Sequence, residues 1–239
     1  MPRSAYDQQI EDLRDHVVLI ASMVDKAIAR SVDALQTQDV ILAKQVRKAD
    51  KEIDQARWSG EERALTIIAT QAPMASDLRM IAAALQIFTD LERMGDHAAG
   101  IAKIVIDLAD EPTLKPFVDI PRMSVIGREM LGQSITSFMD RDVELARRTS
   151  IRDDDVDDLH DQIFRELLTY MMADPSTINR ATRLLWASHN LERVADRVIN
   201  ICERVVYAVT GETEELGGGR KKRQKARLAE SASGISGLS

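Results

Sequence analysis

The 239-residue chain has one cysteine, Cys202, and only 4% aromatic residues. A single cysteine excludes an intramolecular disulfide and fits a reducing compartment. The sequence shows no signal-peptide pattern and no run of about 18 uncharged apolar residues, so we expect a soluble, cytoplasmic protein without a membrane span. Scarce aromatics beside abundant Ala, Leu, Ile, Val and Met favour packed helices over sheets.

Motifs of catalysis and nucleotide binding are also missing. The chain has neither a Gly-x-x-x-x-Gly-Lys loop nor a Gly-x-Gly-x-x-Gly loop, and no Ser/His/Asp arrangement is legible. A net charge of −7 argues against nucleic acid as a partner. The sequence therefore predicts a protein that is not an enzyme.

The six prolines lie at one terminus, at two turns and in one connector, and the pattern between them is helical throughout. No stretch alternates with period two over a convincing length. Helices near 30 residues are about 45 Å long and are typical of long bundles. We predict six of them: Tyr6–Thr37, Val40–Thr70, Ala75–Ala109, Arg122–Met139, Val143–Ala173 and Ser176–Val209.

The two halves of the chain repeat each other. The third predicted helix matches the sixth at a spacing of 100 residues, and the first two match the fourth and fifth at a spacing of 103. Cys202 takes the place of Ala102 and is expected to be a packing residue. Such self-similarity indicates a duplicated unit.

The expected fold is all-α: two tandem antiparallel three-helix bundles related by internal duplication. We assign the first bundle to residues 1–111 and the second to residues 122–211, with a proline-rich connector at 112–121. Residues 212–239 are expected to be a disordered tail. Its basic segment, 220–227, is interpreted as solubilising, with contact to an anionic membrane or nucleic acid as the alternative.

One phrase occurs twice, as Leu-Glu-Arg-Met-Gly-Asp at Leu91–Asp96 and Leu-Glu-Arg-Val-Ala-Asp at Leu191–Asp196. Each copy places a Glu and an Asp four residues apart, on one face of a helix. Glu92 and Glu192 lie on apolar stripes of their helices. A carboxylate directed at a helix–helix contact is costly unless it is paired, protonated or bound to metal.

Folding the second helix back on the third brings another acid pair to the same height. Asp54 and Glu92 lie on opposite sides of Pro73 and are equally far from it along the chain, and the same is true of Asp50 and Asp96. In an antiparallel hairpin, equal distances from the turn mean equal heights. The first half is therefore expected to gather four carboxylates.

The second half shows the same reflection about Pro175. Asp157 and Glu192 match in their distance from this proline to within a single position, and so do Asp153 and Asp196. We expect a second group of four carboxylates at matched height.

Four carboxylates at one height raise one another's pKa or recruit cations. No Lys or Arg is expected on this face, because Arg93 and Arg193 point about a quarter-turn away. Carboxylate oxygens suit Mg²⁺, Mn²⁺, Fe and Zn²⁺, and bundles hold multinuclear metal sites in this way. The alternative is a partly solvated acidic seam with ordinary ion pairs.

The four histidines receive modest expectations. We expect His97 to be a surface residue and not a group that supports a metal ligand. His189 lies one turn before Glu192, and its side chain can reach the same acidic seam. We expect no functional role for His16 or His160.

The chain resembles the PhoU family of phosphate-signalling proteins over about residues 4–211. The phrases that carry the resemblance are Pro73–Arg79, Asp90–Ala98, Asn190–Glu203, Asp153–Leu159 and Tyr170–Pro175. The second copy departs from the usual Gly-Asp-His by reading Ala195-Asp196-Arg197, so Arg197 is expected to alter that site. The resemblance implies paired three-helix bundles whose acidic motifs hold multinuclear iron or zinc clusters in some members. It places metal-ligand roles on Asp50, Asp54, Glu92, Asp96, Asp153, Asp157, Glu192 and Asp196.

The same resemblance implies a non-enzymatic regulator of phosphate uptake that represses the phosphate-starvation response when phosphate is plentiful. The implied partners are the ATPase subunit of a phosphate ABC transporter and the PAS domain of a membrane sensor histidine kinase, and a homodimer is expected. Two alternatives are a metal-dependent helical-bundle enzyme and a metal-free scaffold with ion-paired acids.

Overall fold

A computed structural model describes residues 3–114 and 118–217 of the chain. Every regular element in these residues is helical, which confirms the predicted all-α class, and the two halves form the predicted tandem bundles. Within the same residues, no helix is both long and apolar enough to cross a membrane. The elements are α1 (Arg3–Thr37), α2 (Val40–Gln71), α3 (Ala75–Asp107), α4 (Asp119–Asp140), α5 (Val143–Ile151), α6 (Asp153–Ala173), a 3-10 turn (Pro175–Thr177) and α7 (Ile178–Thr210).

The duplication is visible in the turn that follows the first helix of each half. Gln38 and Arg141, which the repeat superposes, both adopt the left-handed conformation, with φ of 52° and 56°. The next residues, Asp39 and Asp142, cap α2 and α5: each side chain accepts a 2.9 Å hydrogen bond from the backbone N–H three residues further on. The same local solution therefore starts the second long segment of both bundles.

The prediction of one continuous helix over Val143–Ala173 was wrong. The helix is interrupted at Arg152, so that α5 ends at Ile151 and α6 begins at Asp153. Three acids, Asp153–Asp155, occupy the first turn of α6, where negative charge stabilises the positive end of the helix dipole. This run of three aspartates was the sequence signal for a new helix start.

The two bundles pack directly against each other and share one continuous hydrophobic core. Helix α3 of the first bundle lies along α7 of the second, and α1 packs on α4. The sequence predicts a connection between the halves only through the connector and does not indicate this packing. The boundaries proposed at residues 111 and 122 stay predictions, and the basic segment 220–227 lies outside the described residues.

Two polar contacts cross the α3–α7 interface at positions related by the repeat. Asp90, which is 8% exposed, accepts hydrogen bonds from Asn200 Nδ2 at 3.1 Å and from Arg197 Nη1 at 3.4 Å. In the repeat, Asn190 corresponds to Asp90 and His97 corresponds to Arg197. These two residues are also in contact, since His97 Nδ1 lies 3.0 Å from the Asn190 side-chain oxygen. His97 is therefore an interface residue, and its prediction as a surface histidine was wrong.

Replacing Asp90 by Ala is expected to lower the free energy of unfolding by about 1–2 kcal/mol, because Arg197 and Asn200 lose a buried acceptor. Burial raises the pKa of Asp90 in spite of these bonds, so desolvation offsets part of their contribution. Urea unfolding measures the loss. Asp107→Ala is the matched control, since the partly exposed Asp107–Arg183 pair spans the same two helices and is expected to contribute below about 0.5 kcal/mol. Equal losses in both variants would contradict the assignment.

Candidate metal centre

The first half brings together the four acids that the sequence predicted. Helix α2 supplies Asp50 and Asp54, and α3 supplies Glu92 and Asp96. Burial, together with the charges of the other three acids, raises the pKa of Asp50 to about 6. The four carboxylates therefore act on one another across the contact between α2 and α3.

A small residue allows α2 to approach α3 at this height. A Cβ atom added to Gly95 would lie 3.1 Å from Ile53 Cδ1 and 3.4 Å from Asp50 Oδ1. The glycine in the Met-Gly-Asp phrase thus makes room for the Asp50 carboxylate beside the backbone of α3. The close approach of α2 to α3 at Gly95 sets the height at which the opposing acid pairs meet.

Glu92 is more enclosed than Asp96, the other acid of α3. The Glu92 side chain is 14% exposed, and its Oε2 is buried without a hydrogen-bond partner. Burial first, and then the charge of Asp96, raises the pKa of Glu92. A buried carboxylate oxygen without a donor is costly, and a bound cation would offset that cost.

Two arginines reach these acids, so the expectation that no basic residue lies at this level was wrong. Arg57 Nη1 lies 3.8 Å from Glu92 Oε1, and Arg93 Nε lies 3.6 Å from Glu92 Oε2. Arg93 also pairs with Asp96 at 3.3 Å. Arg93 leaves α3 about a quarter-turn away from Glu92, as expected, but its long side chain folds back along the helix surface and reaches the acids.

The residues of the first half fit a hard cation. They offer oxygen ligands from two facing helices, one of them an unsatisfied buried oxygen, and their mutual repulsion is relieved by positive charge. The residues that would hold the ion are Asp50, Asp54, Glu92 and Asp96. Arg57 and Arg93 supply part of the same charge compensation and would compete with it.

Replacing Asp50 by Asn is expected to raise the free energy of unfolding of the metal-free protein by about 1–2 kcal/mol at pH 7.5. One unit of pKa corresponds to about 1.4 kcal/mol, reduced here because solvent screens part of the interaction. Because the folded-state pKa of Asp50 is raised from 3.8 to about 6, the stability it contributes is present below pH 3.8 and lost as the pH rises through 6. The gain from the variant should therefore shrink as the pH falls from 7.5 to 4.

Urea unfolding at several pH values tests this expectation. Glu52→Gln, an exposed acid on the same helix, is the matched control and should change the free energy of unfolding by less than about 0.5 kcal/mol. A loss of stability in Asp50→Asn, or a gain independent of pH, would show that burial and the neighbouring acids do not destabilise the ionised form of Asp50.

The second half places its four predicted acids on α6 and α7. Asp153, at the start of α6, is 1% exposed, and Asp157, one turn later, is half-buried. Glu192 and Asp196 have side chains that are each 20% exposed. The meeting of all four at one height stays a prediction.

The partners of the α7 acids differ from those in the first half. Glu192 Oε2 lies 2.6 Å from His189 Nδ1, and Asp196 Oδ2 lies 3.0 Å from Arg193 Nη1. Arg197, which the sequence suggested would alter this site, instead bonds to Asp90 across the interface. The prediction that His189 reaches the acids of α7 is thus confirmed for Glu192.

His160 is a residue to which the sequence assigns no functional role. One ligand atom each from His160, His189 and Glu192 lies within 4.8 Å of the other two. The signal was available, because His160 and His189 also match in their distance from Pro175 to within a single position.

The remaining candidates are structural. Cys202 is fully buried and burial raises its thiol pKa to about 12, which confirms a packing residue without nucleophilic character. His16 bonds through Nε2 to the backbone oxygen of Ala56 at 2.6 Å inside the first bundle. Neither takes part in the acidic groups.

Comparison with known proteins agrees with this architecture. The PhoU domain profile matches residues 17–105 and again residues 120–205, one match in each bundle. A protein of Aquifex aeolicus, named phosphate-specific transport system accessory protein PhoU homolog, is 42% identical over 205 residues, covering 86% of this chain and 93% of that relative. A Clostridium acetobutylicum protein of the same name is 36% identical over 90% of this chain and 99% of its own length.

Solved structures show the same fold. The crystal structure of PhoU from Pseudomonas aeruginosa superposes with a TM-score of 0.82 at 34% identity and covers 87% of this chain and 100% of that one. The phosphate transport system regulatory protein PhoU from Streptococcus pneumoniae superposes with a TM-score of 0.82 at 29% identity over 88% of this chain and 100% of that one. With profile matches in both bundles and relatives aligned over most of their length, the chain belongs to the PhoU family.

Proposed function

We propose that this protein is a cytoplasmic accessory regulator of phosphate uptake and of the phosphate-starvation response. The observation that carries the proposal is the near-full-length similarity to relatives named as accessory proteins of phosphate-specific transport. Fold alone would not suggest phosphate, since helical bundles serve many functions. The profile matches in both repeats and the coverage of most of each relative's length support carrying the relatives' role over to this chain.

The proposed action is that of an adaptor without catalysis. It would bind the ATPase subunit of a phosphate ABC transporter and the PAS domain of a sensor histidine kinase, and would restrain signalling when phosphate is plentiful. A homodimer, held near the inner membrane through these partners, is part of the same proposal. Long helical faces offer the extended surfaces that such contacts require.

We further propose that the acidic group of the first half holds divalent or trivalent ions, with iron, zinc, manganese or magnesium as the candidates. The support is the buried Glu92 oxygen without a hydrogen-bond donor and the mutual repulsion at Asp50. Oxygen ligands from two facing helices would then be drawn together instead of repelled. A bound ion would thus stabilise the conformation of the first bundle that its partners bind.

A deletion strain grown at high phosphate tests the regulatory proposal. Expression from a phosphate-starvation promoter should be raised in the deletion strain and returned to repression by the wild-type gene. A control strain carrying the Gly132→Ala variant, which alters an open surface position, should also be repressed. Normal repression in the deletion strain would sink the proposal.

A further inference from the structure

The strongest feature outside the first-half carboxylates is a cluster of two histidines and a glutamate between α6 and α7. One ligand atom from each of His160, His189 and Glu192 lies within 4.8 Å of the others, and all three residues are half-buried. The cluster is therefore enclosed on the protein side while remaining open to solvent. Two imidazole nitrogens and one carboxylate are a ligand set that zinc sites use with a water in the fourth position.

The orientation of His160 is set by a buried hydroxyl. Ser188, which is fully buried, donates its Oγ–H to the backbone oxygen of Leu185 at 2.9 Å. Its oxygen then accepts from His160 Nδ1 at 3.0 Å. Because the Ser188 hydroxyl hydrogen is donated to Leu185, His160 Nδ1 is assigned as the protonated nitrogen, and Nε2 keeps the lone pair that a metal ion would need. Metal-ligating histidines are commonly held by such a second hydrogen bond.

His189 and Glu192 are already joined. The 2.6 Å contact between His189 Nδ1 and Glu192 Oε2 is a hydrogen bond in which the imidazole N–H donates to the carboxylate one turn further along α7. A divalent cation bound by both groups would replace that proton, as metal binding at such ligands releases protons. The two groups need to open by only a fraction of an ångström to admit it.

We propose that His160, His189 and Glu192 form a mononuclear site for a borderline divalent ion of the zinc class, distinct in chemistry from the carboxylate group of the first half. Imidazole nitrogen favours zinc, cobalt and nickel, whereas a site with only oxygen ligands favours magnesium, calcium and manganese. The imidazole-containing site of the second half should therefore bind Mg²⁺ poorly, whereas the carboxylate group of the first half can accept it. The proposed site extends the metal-ligand role that the resemblance implies for Glu192 and does not depend on the phosphate role.

A natural reporter stands beside the site. The Trp186 ring lies 5.6 Å from the His189 ring in an edge-to-face contact. The chain contains two tryptophans, so Trp58→Phe leaves Trp186 as the only one. Co²⁺ bound at His189 should quench Trp186 fluorescence, because a paramagnetic ion at that distance offers an efficient relaxation route.

The test is a titration of the full-length Trp58→Phe protein with Co²⁺. We expect saturable quenching that Zn²⁺ reverses and that Mg²⁺ at the same concentration leaves unchanged. The apparent Kd should rise at least about tenfold in His160→Gln and in His189→Gln. It should stay unchanged in Asp161→Asn, which removes a neighbouring charge from α6, and in Glu92→Gln/Asp96→Asn, which alters only the first half.

Thermal unfolding without metal checks that each variant is folded, and His189→Gln, whose side chain is 43% exposed, keeps the test available if His160→Gln unfolds. Quenching that neither histidine variant weakens, or that Mg²⁺ reverses as well as Zn²⁺, would overturn the proposal. Cobalt binding through the histidines in a protein that fails to restore repression would count against the phosphate role and leave this site standing.

Discussion

Replacing Glu92 by Gln together with Asp96 by Asn is expected to abolish metal binding in the first half, with a loss of affinity of about 100-fold or more. The pair supplies two of the four carboxylates, including the buried Glu92 Oε2, which has no hydrogen-bond partner. Charge and ligand number both fall, and the affinity for a hard cation depends on each. Shape is nearly preserved, so the effect should appear in metal content without a change in fold.

Elemental analysis of gently purified protein and calorimetric titration with Mn²⁺ or Fe²⁺ measure this effect. Glu11→Gln/Asp15→Asn is the matched control, because these exposed acids on α1 have the same four-residue spacing. The second half should retain its metal, and equal loss from both halves would contradict two independent sites. Wild-type protein that is metal-free, with a melting temperature unmoved by added Fe, Zn or Mn, would remove the basis for a metal centre.

Replacing Gly60 by Ala is expected to lower the free energy of unfolding by about 2–3 kcal/mol, the largest effect anticipated from a single methyl group. A Cβ at this position in α2 would lie 2.7 Å from the ring of Phe88 and 2.8 Å from the ring of His16. Phe88 is fully buried, and the bond to Ala56 holds His16 in place. Neither ring has room to move, so the backbone must shift.

Gly132→Ala is the matched control in urea unfolding. Gly132 also lies inside a helix, α4, but its added Cβ would meet nothing within 4 Å. Because Ala favours the helix over Gly, this variant should gain up to about 1 kcal/mol. Opposite signs for the two variants are the expected result. A gain in Gly60→Ala would show that α1, α2 and α3 pack less closely there than described.

The sequence by itself determined the helical class, the duplication and the meeting of the first-half acids. Each of these follows from local spacing. Periodicity sets the face of a helix, and equal distance from Pro73 sets the height at which the acids of α2 oppose those of α3. The aspartate cap that starts the second segment of each half shows the same local code acting twice.

The tertiary structure alone decided what surrounds those acids. A helical wheel gives the direction in which a side chain leaves the backbone but not its reach, so the arginines that fold back on Glu92 were missed. The packing of one bundle against the other produces no distinct hydrophobic period in the sequence of either bundle. The Asp90–Arg197 contact is therefore seen only in the structure, where α3 lies along α7. For the same reason His160 and His189 became a site only in three dimensions, because ligand geometry depends on atoms from two helices at once.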